Sequence, residues 1–497
     1  MRSAASRWRG RRKRLLGLPT TESSDRSSHP RNLPGGERRR DAITFGCLLL
    51  FLFIVYNLNL RTIGWDDTYA TRFLPFSLLL DHSVYLDQWI EPRLARPLGP
   101  HGMYFAARSH GHWLSVYPII MPVLVTPLYV LPAWWAFHQS PPIYPYSLDF
   151  VLIASTMEKV SASLIAAMSG AVLFLAFRKM APAKVSLAVA LIYGLTSNTW
   201  AISSQALWRH GLTELSFAFL LWALFRVSDS RRAPLWAGLA LAVAAANKPV
   251  DAIMIVPFLF YFGRSSWKSL FIFLTPLVIL GALVFSYNLY FFARPLGAYP
   301  SSPAGYGSFA GEGGARLPFF AGLGVGLAGS LVSPSRGLLI YTPWAAFAFW
   351  GATKVWKEKS PGWGGSLLLA LAAIFVVQAG FSEEWFGGWC FGPRYLTDLL
   401  PFLAWFLVPL WTSIWARPVL RAAFVATLAI ALWVQVVGAF YYPSGNWDGW
   451  PVAVERHPRR LWDWSDNQIL RSWHAGPAAP TLLDAWLDLP ENRSGTP

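Results

Sequence analysis

The feature that most constrains this chain is the recurrence of uncharged apolar runs close to the thickness of a bilayer's hydrocarbon core. The first, Ala42 to Leu60, spans 19 residues, about the length a helix needs to cross. Comparable runs follow along most of the sequence as far as Tyr441. In lipid each backbone polar group must find its partner inside the segment, so such runs become helices. The short alternating segments of a membrane β-barrel do not stand out. Only 14% of the 497 residues are charged, against about a quarter in a soluble domain. The sequence therefore predicts an all-α polytopic membrane protein.

The net charge of +16 would suggest nucleic-acid binding if it were spread over a folded surface. It is not. Residues 1–40 carry twelve Lys/Arg against three acids. A polar block of this kind reads as a disordered basic arm (1–41) that fixes orientation and is attracted to anionic lipid. No nucleic-acid module accompanies it. Basic residues also gather at Arg178/Lys179/Lys184, Arg226/Arg231/Arg232, Arg264/Lys268, Lys354/Lys357/Lys359 and Arg417/Arg421. Placed in the cytoplasm by the positive-inside rule, these sites require about 11 transmembrane helices. The spans fall near 42–60, 150–177, 185–203, 212–226, 234–247, 252–263, 268–291, 337–353, 364–381, 396–415 and 419–441. The N-terminus is then cytoplasmic and the C-terminus exterior.

Two stretches complicate this layout. Residues 119–137 are apolar, but Pro122, Pro127 and Pro132 recur almost every turn, and each interior proline removes a helix hydrogen bond. The expectation is an interfacial or re-entrant segment, which makes 61–149 a long first exterior loop of short amphipathic helices. Residues 318–333 are glycine-rich and are expected to form a bent segment dipping into the membrane. Cys47 and Cys390 fall on opposite sides in this layout, so no disulfide and no cysteine-based metal site is expected.

Candidate chemistry gathers on the exterior side. Asp66 and Asp67 follow the first span directly. Burial and mutual repulsion can raise such a carboxylate's pKa toward use as a base, although solvated loop acids or a helix N-cap are the plain alternative. Arg72, five residues on, could orient a carboxylate or hold a phosphate. Arg209, His210, Lys248, Arg336 and Arg394 stand where other charge is sparse, as a site for a phosphate ester would require. The segment Glu383 to Tyr395 adds Glu384 and Tyr395 to glycines and aromatics suited to a sugar or prenyl wall. Tyr104, His110, His112 and Tyr117 could line an acceptor pocket. Glu158 and Lys159 interrupt the second span but, as sequence neighbours, do not face each other. No phosphate-binding loop, dinucleotide motif, paired-histidine zinc site or nucleophilic-serine elbow is present.

Gly64 to Arg72 after the first span, Ser115-Val116-Tyr117-Pro118, Leu207 to Gly211, Asn247-Lys248-Pro249, Ser333 to Leu339 and Gly388 to Tyr395 together resemble the GT-C superfamily of integral membrane glycosyltransferases. The nearer likeness is to dolichyl-phosphate-mannose–protein mannosyltransferases and the bacterial lipid A aminoarabinose transferases. It covers roughly residues 42–441, leaving out the arm and the Trp-rich exterior tail 442–497. The resemblance implies a GT-C-like catalytic domain in a bacterial inner membrane, acting in the cell envelope on the exterior face. It implies a polyprenyl-phosphate sugar as donor and an inverting transfer to an acceptor hydroxyl, with Asp66 or Asp67 as base. Lys248 and Arg394, then Arg336 and Arg209, would stabilise the departing phosphate. No cofactor or metal is expected. Asp67 stands where many members have Glu, and the large soluble C-terminal domain of better-known members is missing. The competing expectation is a transporter or lipid-carrier flippase, which predicts an internal repeat that the sequence does not display.

Overall fold

The computed structural model describes residues 35–94, 104–140, 143, 147–298, 322–380 and 384–487. The basic arm up to residue 34, Glu383 and the end of the tail lie outside the described residues. Among the described residues the chain is helical, apart from one two-stranded hairpin.

The first apolar run forms α1 (Gly35–Asn57). The expected first loop then holds α2 (Asp66–Leu80), α3 (Asp87–Leu94), a hairpin of β1 (Ala106–Ser109) and β2 (His112–Ser115), and α4 (Ile120–Phe137). His110 and Gly111 join the two strands with φ of 51° and 83°, the positive values that a tight two-residue hairpin turn requires. After these come α5 (Leu148–Phe177), α6 (Ala183–Leu195), a π-turn over Thr199–Ser203, α7 (Arg209–Leu224), α8 (Ala233–Asn247), α9 (Ile255–Ser265) and α10 (Trp267–Phe292). The chain continues through α11 (Leu323–Val332), α12 (Leu338–Tyr341), α13 (Ala345–Glu358) and α14 (Gly364–Ala379). A 3-10 turn over Arg394–Leu399 leads into α15 (Leu400–Leu407), followed by α16 (Trp411–Ala416), α17 (Pro418–Phe440), α18 (Gln468–Ala475) and α19 (Thr481–Leu487).

Six helical segments are long and apolar enough to cross a membrane: Gly36–Asn57, Ile120–Phe137, Asp149–Phe177, Trp267–Phe292, Arg394–Ala416 and Pro418–Phe440. Five of these cover expected spans. Other expected spans coincide with shorter helices, among them α6, α8 and α14. The break predicted between 234–247 and 252–263 is present, with Lys248 extended at φ −143° and a 3-10 turn over Pro249–Met254. Within the glycine-rich stretch, Leu323–Val332 form α11, a short apolar helix, while residues 318–321 lie outside the described residues.

The outcome for residues 119–137 differs from expectation: they form one continuous 18-residue helix, α4. Pro122 lies in the first turn, where a helix N–H has no intrahelical acceptor in any case. Pro127 and Pro132 fall outside the buried stripe of Met121, Val125, Tyr129, Ala133 and Ala136, which packs on α2 and α5. Packing of that stripe outweighs the missing backbone bonds.

The central core is built by α7, which lies between α5 and α8 and contributes Phe217, Leu220 and Leu221 to a large buried cluster. Peripheral helices are apolar on their outward faces: Phe271, Val278, Ile279 and Leu283 of α10 are all exposed. A helix that is apolar on every side belongs in an apolar medium.

Candidate functional site

Asp66 and Asp67 open α2, where the positive end of the helix dipole favours carboxylates. The approach to this turn is tight. A Cβ on Gly64 would fall 2.6 Å from Thr68 Oγ1 and 3.0 Å from Ala206 Cβ, so only glycine lets the 61–65 segment pass. Trp65 then meets Trp389 edge-on at 5.1 Å, which joins the start of α2 to the loop before α15.

That loop delivers the cation. Gly387, Gly388 and Gly392 all have positive φ, a conformation open to glycine at little cost. The backbone turns through them and presents Arg394 at the head of its 3-10 turn. Arg394 Nη1 donates to Asp67 Oδ2 at 2.6 Å, and the Tyr117 hydroxyl donates to Asp67 Oδ1 at 2.7 Å. Tyr104 also hydrogen-bonds Asp67 and lies close to Asp66. The Asp67 side chain retains 24% exposure, so the acid is enclosed but still reachable.

Burial by itself would raise the pKa of Asp67. Arg394, the Tyr117 hydroxyl and the more distant Arg209 outweigh it and hold the carboxyl below its ordinary value. The expected upward shift is therefore reversed at Asp67, because cations dominate its surroundings. The Tyr104 phenol moves up, first through burial and then through the two nearby carboxylates.

A second buried charge cluster adjoins the first. His210 Nδ1 lies 2.8 Å from Asp398 Oδ1, and Lys248 pairs with Asp398 Oδ2. Asn247 Nδ2 donates to the Arg209 carbonyl at 2.6 Å, tying the tip between α8 and α9 to the start of α7. Tyr395 bridges the clusters, with Lys248 Nζ at 5.7 Å and the Arg394 guanidinium at 5.6 Å from its ring. Arg209 stacks over Tyr117 at 4.8 Å, and Arg394 over Trp208 at 4.6 Å. Segments hundreds of residues apart thus converge: Asp67, Tyr117, Arg209, His210, Lys248, Arg394 and Tyr395 form one constellation.

Three candidates stand apart from it. Arg72 is committed to Glu158 at 2.5 Å. Arg336 is buried elsewhere and uses all of its N–H groups on Phe386, Ser335 and Gly388 carbonyls, Gln468 and Asp448. Glu384 starts the loop, where its carbonyl accepts from Gly387 N. His112 of the suggested acceptor pocket pairs with Asp87 at 2.7 Å and stacks on Tyr85. Glu158 and Lys159 face different partners, since Lys159 Nζ donates to Gln205.

Sequence reasoning passed over Asp398. It is the one acid in its span, four residues after Arg394 on a 3-10 turn, and that spacing was the available signal. It also passed over Glu214, whose carboxylate accepts from Tyr193, Thr199 and Ser203 inside the bundle.

Beside the constellation lies an apolar cavity of about 270 Å³ between the start of α4, α8, the turn after it, and α10. Tyr117 and Pro118 line one end, Ala245 and Pro249 another, with Val284 and Tyr287 along the side. Tyr117 therefore belongs to both cavity and site, and Lys248 directly precedes a lining residue. Among the described residues no cluster of His, Cys, Asp and Glu is arranged to hold a metal ion. Comparison with protein-family models, curated proteins and solved structures finds no match to this chain.

Proposed function

We propose that the protein is a membrane glycosyltransferase that moves a sugar from a polyprenyl-phosphate donor to an acceptor hydroxyl. The observation that carries this reading is the junction at Tyr117. An apolar cavity suited to a lipid chain ends beside a carboxylate, Asp67, that has Arg394 and Arg209 around it, with Lys248 in the adjoining cluster across Tyr395. A lipid-linked phosphate needs an apolar slot and cations at one end of it, and a hydroxyl nucleophile needs a nearby base.

In the proposed reaction the acceptor oxygen attacks the anomeric carbon from the face opposite the phosphate. The bond from that carbon to the phosphate oxygen breaks, its electron pair leaves with the phosphate, and the acceptor proton passes to Asp66 or Asp67. Configuration inverts. Arg394 holds Asp67 in the free protein, so its guanidinium must shift toward the donor phosphate as that group arrives. The shift lifts the depression of the Asp67 pKa and makes it a stronger base when substrate is present. Lys248, anchored on Asp398, adds positive charge for the leaving group, while His210, whose pKa burial pushes down to about 4, holds the other Asp398 oxygen as a neutral imidazole.

This reading sets the site on the exterior face of a bacterial inner membrane, with the N-terminus in the cytoplasm. A cysteine at His82, on the exposed turn after α2, is then labelled in intact cells by an impermeant maleimide. Labelling only after lysis contradicts the orientation. The direct test incubates the purified full chain in nanodiscs with a panel of polyprenyl-phosphate sugars and measures sugar transferred or released. Turnover with at least one donor is expected. Loss by about 10²–10⁴-fold is expected in Asp66→Asn or Asp67→Asn, the usual size of a general-base effect. No turnover across the panel, or full activity in both variants, overturns the proposal.

A further inference from the structure

We propose that α18 and α19 are interfacial helices, lying in the boundary between phospholipid headgroups and acyl chains and docking the tail on the lipid surface. The inference needs only that the chain spans a membrane. It is independent of the glycosyltransferase reading.

Three spans give the depth of that boundary. About 20 helical residues cross the hydrocarbon core, and the basic residues Arg40, Arg178 and Arg421 mark one side of it. Counted from Arg40 along α1, the crossing ends at Leu60. Counted back from Arg178 along α5, it reaches Glu158, beside Thr156. Counted from Arg421 along α17, it ends at Tyr441.

The tail meets the bundle at these three levels. Leu482 N donates to the Leu60 carbonyl at 3.1 Å, and Trp486 Nε1 donates to Thr156 Oγ1 at 3.0 Å. The Trp473 ring lies 4.9 Å from that of Tyr441 and 5.9 Å from that of Trp433, while Ala478 N donates to the Phe440 carbonyl at 2.8 Å. Trp433 is about 12 Å deeper than Tyr441 along α17, at 1.5 Å per residue. The two short helices therefore sit at the rim of the hydrocarbon, beside the spans and not above them.

Their side chains divide into three stripes. On α18, Gln468, Ile469 and Ser472 are buried in the protein, Leu470 and Trp473 are exposed, and Arg471 and His474 follow on the next side. The helical period places the Leu470–Trp473 stripe between the protein side and the polar side. The order repeats on α19: Leu482 and Trp486 face the protein, Leu483 and Leu487 are exposed one step round, and Asp484 lies beyond. A helix on a soluble surface shows one apolar side, which is covered, and one polar side. A further apolar side left uncovered is what a helix in the lipid interface presents.

Singly exposed Leu and Trp residues are ordinary, but these four fall on the matching side of two helices at one depth. They also continue the lipid-facing surface. Trp135 of α4 meets Trp486 at 6.4 Å, and Leu131 and Trp134 beside it are exposed, as are Ile430 and Leu432 of α17. The charge next to the stripe on α18 is already answered, since Arg471 pairs with Asp466. The surface thus fits the apolar boundary of a phospholipid leaflet and not a particular anionic headgroup.

The test places single nitroxide labels on the full chain in phosphatidylcholine nanodiscs, at Leu470→Cys, Leu483→Cys, Leu487→Cys, His474→Cys and Asp484→Cys. Cys47→Ser removes the exposed native thiol, and Cys390 is buried. Power saturation compares collisions with oxygen, which concentrates among acyl chains, and with a nickel chelate, which stays in water. Labels at the three leucine positions are expected to favour oxygen at a depth of about 5–10 Å, and those at His474 and Asp484 to favour nickel. Replacing part of the lipid with phosphatidylglycerol is expected to leave the depths unchanged. Nickel preference at all five positions overturns the proposal, because the helices then stand in water. Shielding of the leucine positions from both relaxers also overturns it, because a protein face such as a second copy of the chain then covers them. Depths that appear only with the anionic lipid overturn the assignment to the apolar boundary. In a second measurement, Leu483→Glu with Leu487→Glu is expected to speed proteolytic release of the segment after Gly476 by about tenfold. An unchanged release rate overturns the proposal as well.

Discussion

Two arginine–aspartate pairs in this molecule are alike in distance and unlike in purpose. Arg394 meets Asp67 at 2.6 Å, and Arg336 meets Asp448 at 2.7 Å. Each guanidinium also lies near a tryptophan: Trp208 at 4.6 Å for Arg394, Trp447 at 5.2 Å for Arg336. The differences lie in what surrounds the pairs. Arg336 is saturated, and the Tyr442 hydroxyl donates to Asp448 at 2.8 Å while Gln468 braces both partners. Through them the tail 442–487 is locked onto the α11–α12 turn, with Ser333 Oγ donating to the Leu461 carbonyl as a further tie. Arg394 instead spends one N–H on Asp67 and leaves a buried Nε with no partner among the described residues, in a constellation that Tyr117 joins to the apolar cavity. A saturated pair holds structure, whereas an incompletely satisfied one is placed to exchange partners.

The largest effect that could break this contrast is catalytic. Arg394→Gln should reduce transfer from a polyprenyl-phosphate sugar by about 10²–10³-fold, the scale of losing one preorganised donor to a developing anion, with the helical CD spectrum unchanged. Arg336→Gln should leave the rate per folded molecule close to wild type. Equal losses from both substitutions would erase the distinction.

Stability should reverse the ranking. Arg336→Ala leaves Asp448 buried without its cation, and removing one partner of such a pair costs about 3–5 kcal/mol. Urea denaturation in detergent, following tryptophan emission, should show that loss together with early release of the tail to protease. Arg394→Ala should cost about 1 kcal/mol by the same measurement, because Asp67 keeps its phenol partners and partial contact with water. A smaller effect is expected at Asp398→Asn. It leaves Arg394 in place but unfastens Lys248 and His210, so the donor KM should rise by about tenfold while kcat changes less.

The residues also explain what could be read ahead of the structure. Long apolar runs announce their helices because lipid leaves the backbone no other arrangement, so α1, α5, α10 and α17 were legible. The break at Lys248-Pro249 was legible because proline acts locally. Arg209, Lys248 and Arg394 could be grouped because charge is sparse on one side of the predicted topology. Long-range packing was not legible. Continuity of α4 depends on a stripe that is buried chiefly against α2 and α5, which only folding brings to it. The role of Arg336 depends on Asp448, 112 residues away, in a tail that composition marks only as tryptophan-rich. Asp398 looks like an isolated acid within an apolar run until folding brings His210 and Lys248 to it. The direction of the Asp67 shift was misjudged for the same reason, since its cations come from distant segments.

The subtlest separation of the two pairs is in their response to acid. Asp67 is held below its ordinary pKa, where Arg394, Tyr117 and Arg209 outweigh burial. Asp448 is held above it, where burial outweighs Arg336 and Tyr442. An acid whose folded pKa is depressed contributes stability that is present above about pH 4, the unfolded value, and is lost as pH falls through the folded value. An acid whose folded pKa is raised contributes stability only below its folded value and loses it as pH rises through that value. The urea midpoint of wild type relative to Asp67→Asn should therefore fall on acidification from pH 6 toward the lowered Asp67 value. Relative to Asp448→Asn, the wild-type midpoint should rise over the same range. Parallel slopes in the two comparisons would mean that burial, and not the count of nearby cations, governs both carboxylates.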